Sequence, residues 1–170
     1  MKDERGFTLL EVMVASAILL ILAASLTTLL TLGQGVWQDT DNRLVIVQEA
    51  RRALSEIALD LLHSSLTAPP QDLTIGAGGS TLTLQIPQSI SNGVVTWGDV
   101  IRYQLGGNGA QLVRENLTTN QTRVVANYIT GVTFATVTPG VIGITINSQK
   151  TSLTNRAFSH VLQTNLAVRN

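Results

Sequence analysis

Cysteine is absent from this 170-residue chain, and charged and aromatic residues are scarce. Without cysteine, the chain has no disulfide framework, no thiolate metal site and no cysteine nucleophile. Eleven basic and eleven acidic residues give a formal net charge of zero, which argues against a nucleic acid as partner. The length leaves room for an anchoring segment and one domain of about 100 residues.

Charge is missing altogether from one long stretch, residues 12–38, which holds 27 consecutive uncharged residues. The apolar run that overlaps this stretch opens at Phe7, includes Glu11, and continues to Leu32. As a helix it would be about 39 Å long, against about 30 Å of bilayer hydrocarbon. The sequence therefore predicts a membrane-spanning helix, followed by Trp37 at the position of a membrane-interface aromatic.

One carboxylate, that of Glu11, lies near the beginning of the apolar run. A charge at the centre of a membrane span costs about 2.5–3.5 kcal/mol on insertion scales, and less near an interface. Two interpretations are open. Glu11 either reaches the lipid head groups and has no further role, or it pairs with a cation. Cleavage after Gly6 would create such a cation, the α-amino group of Phe7, in the same or a neighbouring chain.

The junction RGFTLLEV, residues 5–12, resembles the class III leader and first helical turns of type IV pilins and type II secretion pseudopilins. The resemblance covers the charged leader and the apolar run. It implies that a prepilin peptidase cuts after Gly6 and methylates the new amino terminus at Phe7. It further implies that Glu11 guides subunits into a helical filament.

The same resemblance implies the location and partners of the chain. We expect a single-pass inner-membrane protein with a cytoplasmic N-terminus and a head outside the cytoplasm, which then enters a pilus or pseudopilus. Its expected partners are prepilin peptidase, other pilin or pseudopilin subunits, the inner-membrane assembly machinery and membrane lipid. No nucleic acid is expected to bind the head.

Two other function classes stay open. In a secreted β-rich binding protein, residues 7–32 would be a conventional signal peptide, whose cleavage site follows the apolar region; the small residues at 23–25 could imitate one. In a membrane-tethered enzyme, the apolar run would be an anchor only. The mature N-terminus distinguishes all three.

A second helical pattern follows the apolar run. Glycines at 33 and 35 weaken the helix by about 1 kcal/mol each relative to alanine. Apolar residues then recur every three or four positions, predicting a buried face: Leu44, Val47, Leu54, Ile57, Ala58, Leu61 and Leu62. Glu49 and Glu56 have the spacing to pair weakly with Arg52 on the other face. Because Pro69–Pro70 ends the pattern, we expect one long helix from Phe7 to about Leu66.

The remainder of the chain alternates apolar and polar residues, as strands do. It predicts a strand at 81–86, hairpins at 101–115 and 129–146, a turn at 118–122 before another strand, and a last strand ending near 168. The predicted fold is α+β, with a long N-terminal helix packed on a mainly antiparallel sheet. The segments are a leader (1–6), a transmembrane or filament-core helix (7–38), an amphipathic helix (39–67) and a β-rich head (68–170).

Four shorter stretches of the sequence resemble particular kinds of subunit within the family. The stretches 51–61, 101–105, 112–115 and 129–132 resemble minor pseudopilins of the J kind and minor pilins of the W kind, which implies a minor subunit. Two features depart from many major pilins: the helix lacks a central proline and the head lacks paired cysteines. The head also lacks the acidic cluster of a calcium site, so no metal or cofactor is expected.

No pattern in the chain predicts catalysis. His63 and His160 are far apart in sequence, and Asp60 with His63 offers only two ligands at helical spacing. The glycine-rich stretch 76–80 leads into a strand and lacks the lysine of a phosphate-binding loop. We therefore predict a structural subunit with no catalytic residues and not an enzyme.

Overall fold

The computed structural model describes residues 8–66, 72–107, 110–152 and 155–168. The protein is α+β, with a long N-terminal helix packed on antiparallel sheets, as predicted. It divides into two compact units, Met1–Asp41 and Asn42–Asn170. The elements are α1 (Leu9–His63), β1 (Thr74–Ile75), a 3-10 turn (Ala77–Gly79), β2 (Leu82–Ser91), β3 (Val94–Gly106), β4 (Gln111–Asn116), β5 (Gln121–Asn127), β6 (Ile129–Thr138), β7 (Val141–Thr151) and β8 (Ala157–Ala167).

Helix α1 is unbroken through Gly33 and Gly35. An added Cβ at either glycine would meet no atom within 4 Å, so neither position is required for close packing in the chain. The helix ends at His63, three residues before the predicted end near Leu66. At this end, the Ser64 N–H donates to the carbonyls of Asp60 at 3.0 Å and Leu61 at 3.2 Å, and the Ser64 hydroxyl donates to the Leu61 carbonyl at 2.9 Å. The predicted stop at Pro69–Pro70 lies outside the described residues.

In the second unit, α1 buries a narrower stripe than the sequence predicted. The fully buried helix residues are Ile46, Ala50, Ala53, Ile57 and Leu61. Leu44 and Leu62, both predicted to be buried, are exposed. The two alanines explain the difference, because small side chains let the helix approach the sheet closely along that line. The two leucines were predicted to be buried because they are apolar and recur at helical spacing, and that spacing does not show which side of the helix lies against the sheet.

The strands form two antiparallel sheets, where the sequence predicted one. The first contains five strands in the order β1-β2-β3-β4-β5, and the second contains β6-β7-β8. Hairpins predicted at 101–115 and 129–146 are confirmed, as are the strands after 120 and before 168. The β2–β3 hairpin was not predicted, although its turn at Asn92–Gly93 carries the Asn-Gly pair that favours positive φ at both positions.

The two sheets meet at Tyr128, which is the one residue between β5 and β6. Tyr128 has a φ of +60°, an uncommon conformation for a bulky side chain. Its carbonyl accepts the N–H of Gln149 at 2.8 Å, while the next N–H, of Ile129, bonds to the carbonyl of Ala110 at 3.0 Å. The backbone thus leaves one sheet and enters the other within a single residue, which alternation patterns cannot reveal.

One hydrophobic core joins both sheets to the helix in the second unit. Leu82, Leu84, Ile101 and Tyr103 line it from the first sheet, and the alternating isoleucines of β7 line it from the second. In the first unit, every side chain from residue 8 to residue 32 is exposed, so these residues form no such core. The two parts of α1 therefore face different environments within their units.

Candidate processing and assembly site

Glu11 lies at the third position of α1 and forms a capping box with Thr8. Its Oε2 accepts the backbone N–H of Thr8 at 2.9 Å and the Thr8 hydroxyl at 3.1 Å. In return, the Glu11 N–H donates to the Thr8 hydroxyl oxygen at 3.3 Å. The pair satisfies backbone donors that a helix start leaves without partners. Both bonds to the carboxylate end on Oε2, and no described residue donates to Oε1.

Thr8 is the site residue that the sequence analysis missed. The signal was present, because Thr8-Leu9-Leu10-Glu11 has the T-x-x-E spacing of a capping box. The charge of Glu11 in an apolar run, on which its predicted role rests, carries no information about this cap. The other two predicted site residues, Gly6 and Phe7, lie outside the described residues, so their geometry relative to Glu11 is not described.

The apolar run after Glu11 presents a hydrocarbon surface that its own unit does not cover. The helix is long and apolar enough to cross a membrane, with a mean hydropathy of 2.5 in its most apolar window, of which none is buried. Burying one leucine or isoleucine side chain contributes about 1.5–3 kcal/mol. A surface with many such residues is strongly unfavourable in water, which favours a lipid or helix-packed environment for it.

The hydroxyl groups in this run are all satisfied within the helix. Each donates to a backbone carbonyl three or four residues earlier, at 2.5–3.1 Å: Ser16, Ser25, Thr27, Thr28 and Thr31. In hydrocarbon, an unpaired hydroxyl costs about 4–8 kcal/mol on a cyclohexane scale. Because no hydroxyl in this stretch lacks a bond, the polar residues of the run are compatible with a lipid environment.

A second polar cluster lies in the second unit, where α1 meets the first sheet. Asp60 Oδ2 accepts the Tyr103 hydroxyl at 2.6 Å and the Arg114 Nε at 2.8 Å. Burial raises the pKa of the Tyr103 hydroxyl well above its usual value, and the negative charge of Asp60 raises it further. Burial lowers the pKa of Arg114, but the hydrogen bond to Asp60, the negative charge of Asp60 and the interactions with Tyr103 together outweigh this, so the pKa is raised. The cluster therefore holds an ion pair and a neutral phenol.

Two more carboxylates of the same helix face contact β5. The Glu56 carboxylate forms an ion pair with Arg123, and Glu49 Oε2 accepts the backbone N–H of Asn127 at 2.6 Å. The sequence predicted that these glutamates would pair with Arg52, and that was wrong: among the described residues Arg52 has no ion pair. The sheet supplies nearer donors, so the acidic face of the helix is part of the interface.

The structure gives the histidines no common site. His63 is exposed at the end of α1, while His160 is half-buried on β8. In the part of the chain that the structure describes, no group of three or more His, Asp or Glu side chains could hold a metal ion. Asp60, weighed from sequence as a partner of His63, is engaged with Tyr103 and Arg114 instead.

Comparison with known families assigns the N-terminus. The family model for the prokaryotic N-terminal methylation motif matches residues 1–27. This match confirms the predicted prepilin-type motif, and with the long helix packed on antiparallel sheets it supports a subunit of the type IV pilin or pseudopilin class. Comparison with curated proteins and with solved structures gave no match.

Proposed function

We propose that this chain is a minor subunit of a type IV pilus or type II secretion pseudopilus. Prepilin peptidase would cut it after Gly6 and methylate the new N-terminus at Phe7. The subunit would then join a filament through its N-terminal helix. The observation that carries the proposal is the methylation motif at residues 1–27, which extends into an apolar helix surface that the described residues of the first unit leave uncovered.

The minor role rests on the shorter resemblances to J-kind and W-kind subunits. Those stretches lie on α1, β3, β4 and β6, and several of their residues are core: Ala53, Ile57, Leu61, Ile101, Tyr103, Leu112, Val113, Ile129 and Val132. Core residues preserve a fold, so these resemblances support the pilin-like architecture more strongly than the subtype. Neighbouring genes for a secretion channel and its ATPase would indicate secretion, and motility or competence genes would indicate motility or DNA uptake.

The proposed location follows from the leader and the apolar helix. The leader carries four charged residues, at positions 2–5, and would stay in the cytoplasm. The uncharged residues that follow would cross the inner membrane, so that the β-rich head lies outside the cytoplasm. Membrane lipid would cover the helix before assembly, and neighbouring subunits together with the assembly machinery would replace the lipid afterwards.

Glu11 is proposed to act at assembly through the half of its carboxylate that the capping box leaves open. Thr8 occupies Oε2, and Oε1 receives no bond from the described residues. An ionised carboxylate can accept about four hydrogen bonds, so capping and a second partner are compatible. The methylated amino group at Phe7 of a neighbouring subunit is a cation that would fit this position. In a packed apolar environment such a charge pair is strongly preferred to either charge alone.

Mass spectrometry of the mature N-terminus tests the proposal directly. A chain that starts at a methylated Phe7 supports it. A start after about residue 24 would instead indicate a conventional signal peptide, and an intact Met1 would indicate a plain anchor. Replacing Gly6 with leucine should block processing, because the peptidase has to fit the residue before the cut. Gly33→Leu is the matched control, since that glycine has open space around it and lies beyond the leader.

A further inference from the structure

Two arginines lie against one buried aromatic ring in the second unit. The guanidinium carbon of Arg43, on α1, is 5.6 Å from the centre of the Phe158 ring, and that of Arg156 is 5.5 Å from it. Phe158 is only 5% exposed, whereas both arginines are exposed. The buried ring is therefore a fixed support that holds two charged, planar groups at the surface.

A third cation lies beside this pair. Lys150 faces Phe158 directly across the β7–β8 ladder, and its Nζ is 5.1 Å from the centre of the Tyr128 ring. Opposite residues of an antiparallel pair carry their side chains on the same face of the sheet. The three basic residues, Arg43, Lys150 and Arg156, are called the cation cluster below.

The turn between β7 and β8 fixes the backbone at Arg156. The Arg156 carbonyl accepts the Ser152 N–H at 2.9 Å, and the Arg156 N–H donates to the Ser152 hydroxyl at 3.2 Å. A guanidinium has five N–H donors, so Arg156, which also has another partner, can keep that partner and still face an anion. Arg43 and Lys150 form no ion pair with any described residue.

The carboxylates of α1 in this unit do not neutralise the cation cluster. Those of Glu49, Glu56 and Asp60 are all bound by the first sheet. Asp39 and Asp41 precede Arg43 in sequence, so the surrounding charge is mixed and long-range attraction of an anion would be weak. Binding would depend instead on the directed N–H groups of the guanidiniums, a donor set that matches a phosphate.

Chain connectivity keeps the cation cluster near the membrane. Arg43 is six residues after Trp37, the predicted interface aromatic. Six residues extend no more than about 22 Å, however the two units are arranged. Lipid phosphates beside Trp37 are thus present at a high local concentration, which a phosphate in solution lacks.

We infer that the cation cluster binds the phosphate of an anionic phospholipid head group and so holds the head against the membrane before assembly. Three cations favour a head group with a net negative charge over one whose phosphate is accompanied by a quaternary amine. The inference rests on the membrane location that is part of the proposed function, but not on cleavage after Gly6.

The test uses the full chain in micelles of an uncharged detergent, titrated with phosphatidylglycerol or with phosphatidylcholine. Native mass spectrometry counts the lipids that each chain retains. We expect phosphatidylglycerol to bind about tenfold more tightly, as charge-assisted hydrogen bonds to phosphate require. Equal retention of the two lipids would overturn the inference and leave the membrane location intact. A chain that stays monomeric in water without detergent would overturn both.

Two further measurements exclude other occupants. Glycerol phosphate carries the phosphate without acyl chains, and at the concentration of the lipid it should not displace phosphatidylglycerol. Displacement would overturn the choice of a lipid. A dimer in sedimentation that Arg43→Ala abolishes would also overturn the inference, because a carboxylate of a second copy would then be the occupant.

Arg43→Ala locates the binding and should weaken the retention of phosphatidylglycerol by about tenfold. Arg51→Ala is the matched control, because Arg51 is an exposed arginine of the same helix with no ring contact or ion pair among the described residues. It removes the same charge and should bind like wild type. Equal losses in the two variants would overturn the inference, since general charge attraction would explain the binding.

Arg43→Lys separates charge from shape. It keeps the cation but loses the planar group that lies on Phe158, so its affinity should fall between those of wild type and Arg43→Ala. Hydrogen exchange of the β8 amides shows whether the head is folded in each variant. If Arg43→Ala disturbs the fold, Arg43→Gln replaces it with the same expected loss, and wild-type binding by that folded variant overturns the inference.

Discussion

Asp60 on α1 and Arg114 on β4 form an ion pair of 2.8 Å across the helix–sheet interface, although 54 residues separate them in sequence. Tyr103 donates to the same carboxylate oxygen from the neighbouring strand. The two charged side chains are only 14% and 21% exposed. Since both charges are largely removed from water, each depends on the other for its stability in the folded state.

Removing one member of this pair should destabilise the head strongly. We expect Asp60→Ala or Arg114→Ala to lower the free energy of unfolding by about 3–5 kcal/mol, because each leaves a partly buried charge without its partner. The double variant should lose clearly less than the sum. Urea denaturation of a fragment of residues 42–170 measures all three.

The control for this comparison of single and double variants is Arg102→Ala. Arg102 pairs with Glu115 on the neighbouring strand, but its side chain is 38% exposed. An exposed pair contributes about 0–1 kcal/mol, so this variant should unfold almost like the parent. If the losses in unfolding free energy for Asp60 and Arg114 were additive, or if Arg102→Ala lost as much, the two side chains would not depend on each other for stability.

Tyr103 should make the head less stable at alkaline pH. Its pKa is raised in the folded state, so the folded protein keeps a proton that the unfolded chain releases above its usual pKa of about 10. The stabilisation is complete below that pH and declines above it, by up to about 1.4 kcal/mol per pH unit. Tyr103→Phe should lose about 1.5–3 kcal/mol at neutral pH, the usual contribution of a hydrogen bond to a charged group.

The informative quantity is the difference in unfolding free energy between wild type and Tyr103→Phe at each pH. This difference should shrink as the pH rises above about 10, because only the wild type releases this proton on unfolding. Lysine titration cancels, since both proteins share it. A constant difference up to the alkaline limit of the measurement would show that the phenol is not held neutral by its surroundings.

Local patterns predicted much of this architecture because most of its elements are local. The uncharged run predicted the first part of α1. The alternation of Ile142, Ile144 and Ile146 with polar or small residues predicted β7. The pairing of Asp60 with Arg114 joins residues far apart in sequence, and no periodicity contains that information. The split into two sheets occurs at Tyr128, whose positive φ no local apolar pattern predicts. Leu62 was predicted to be buried but is exposed. The spacing of apolar residues does not show that the side of the helix carrying the alanines lies against the sheet.

Leu61 and Leu62 provide a direct test of the buried stripe. Leu61 is 0% exposed and Leu62 is 59% exposed, although they are identical neighbours on one helix. Leu61→Ala should destabilise the 42–170 fragment by about 2–5 kcal/mol, the usual loss for a buried leucine. Leu62→Ala should change stability by less than about 0.5 kcal/mol. Thermal melts of the two variants compare them under the same conditions; similar melting temperatures would refute the helix orientation.

Glu11 can be tested by separating its charge from its capping bond. Glu11→Ala removes both, whereas Glu11→Gln removes the charge and keeps a side chain that can complete a capping box. If the charge guides assembly, both variants should enter the membrane at least as well as wild type, since a charge in an apolar segment opposes insertion by up to about 2.5–3.5 kcal/mol. Both should then fail to enter filaments. Membrane fractions and sheared filaments, probed by immunoblot, measure the two steps.

Thr8→Val is the complementary control, because it removes the capping hydroxyl and leaves the Glu11 charge in place. Loss of an N-cap side chain weakens a helix start by about 0.5–2 kcal/mol, which a filament core can tolerate if the charge is what matters. We therefore expect Thr8→Val to assemble while Glu11→Gln does not. The reverse result, with Glu11→Gln in filaments and Thr8→Val excluded, would assign Glu11 to the helix cap and remove the proposed pairing with the Phe7 amine of a neighbouring subunit.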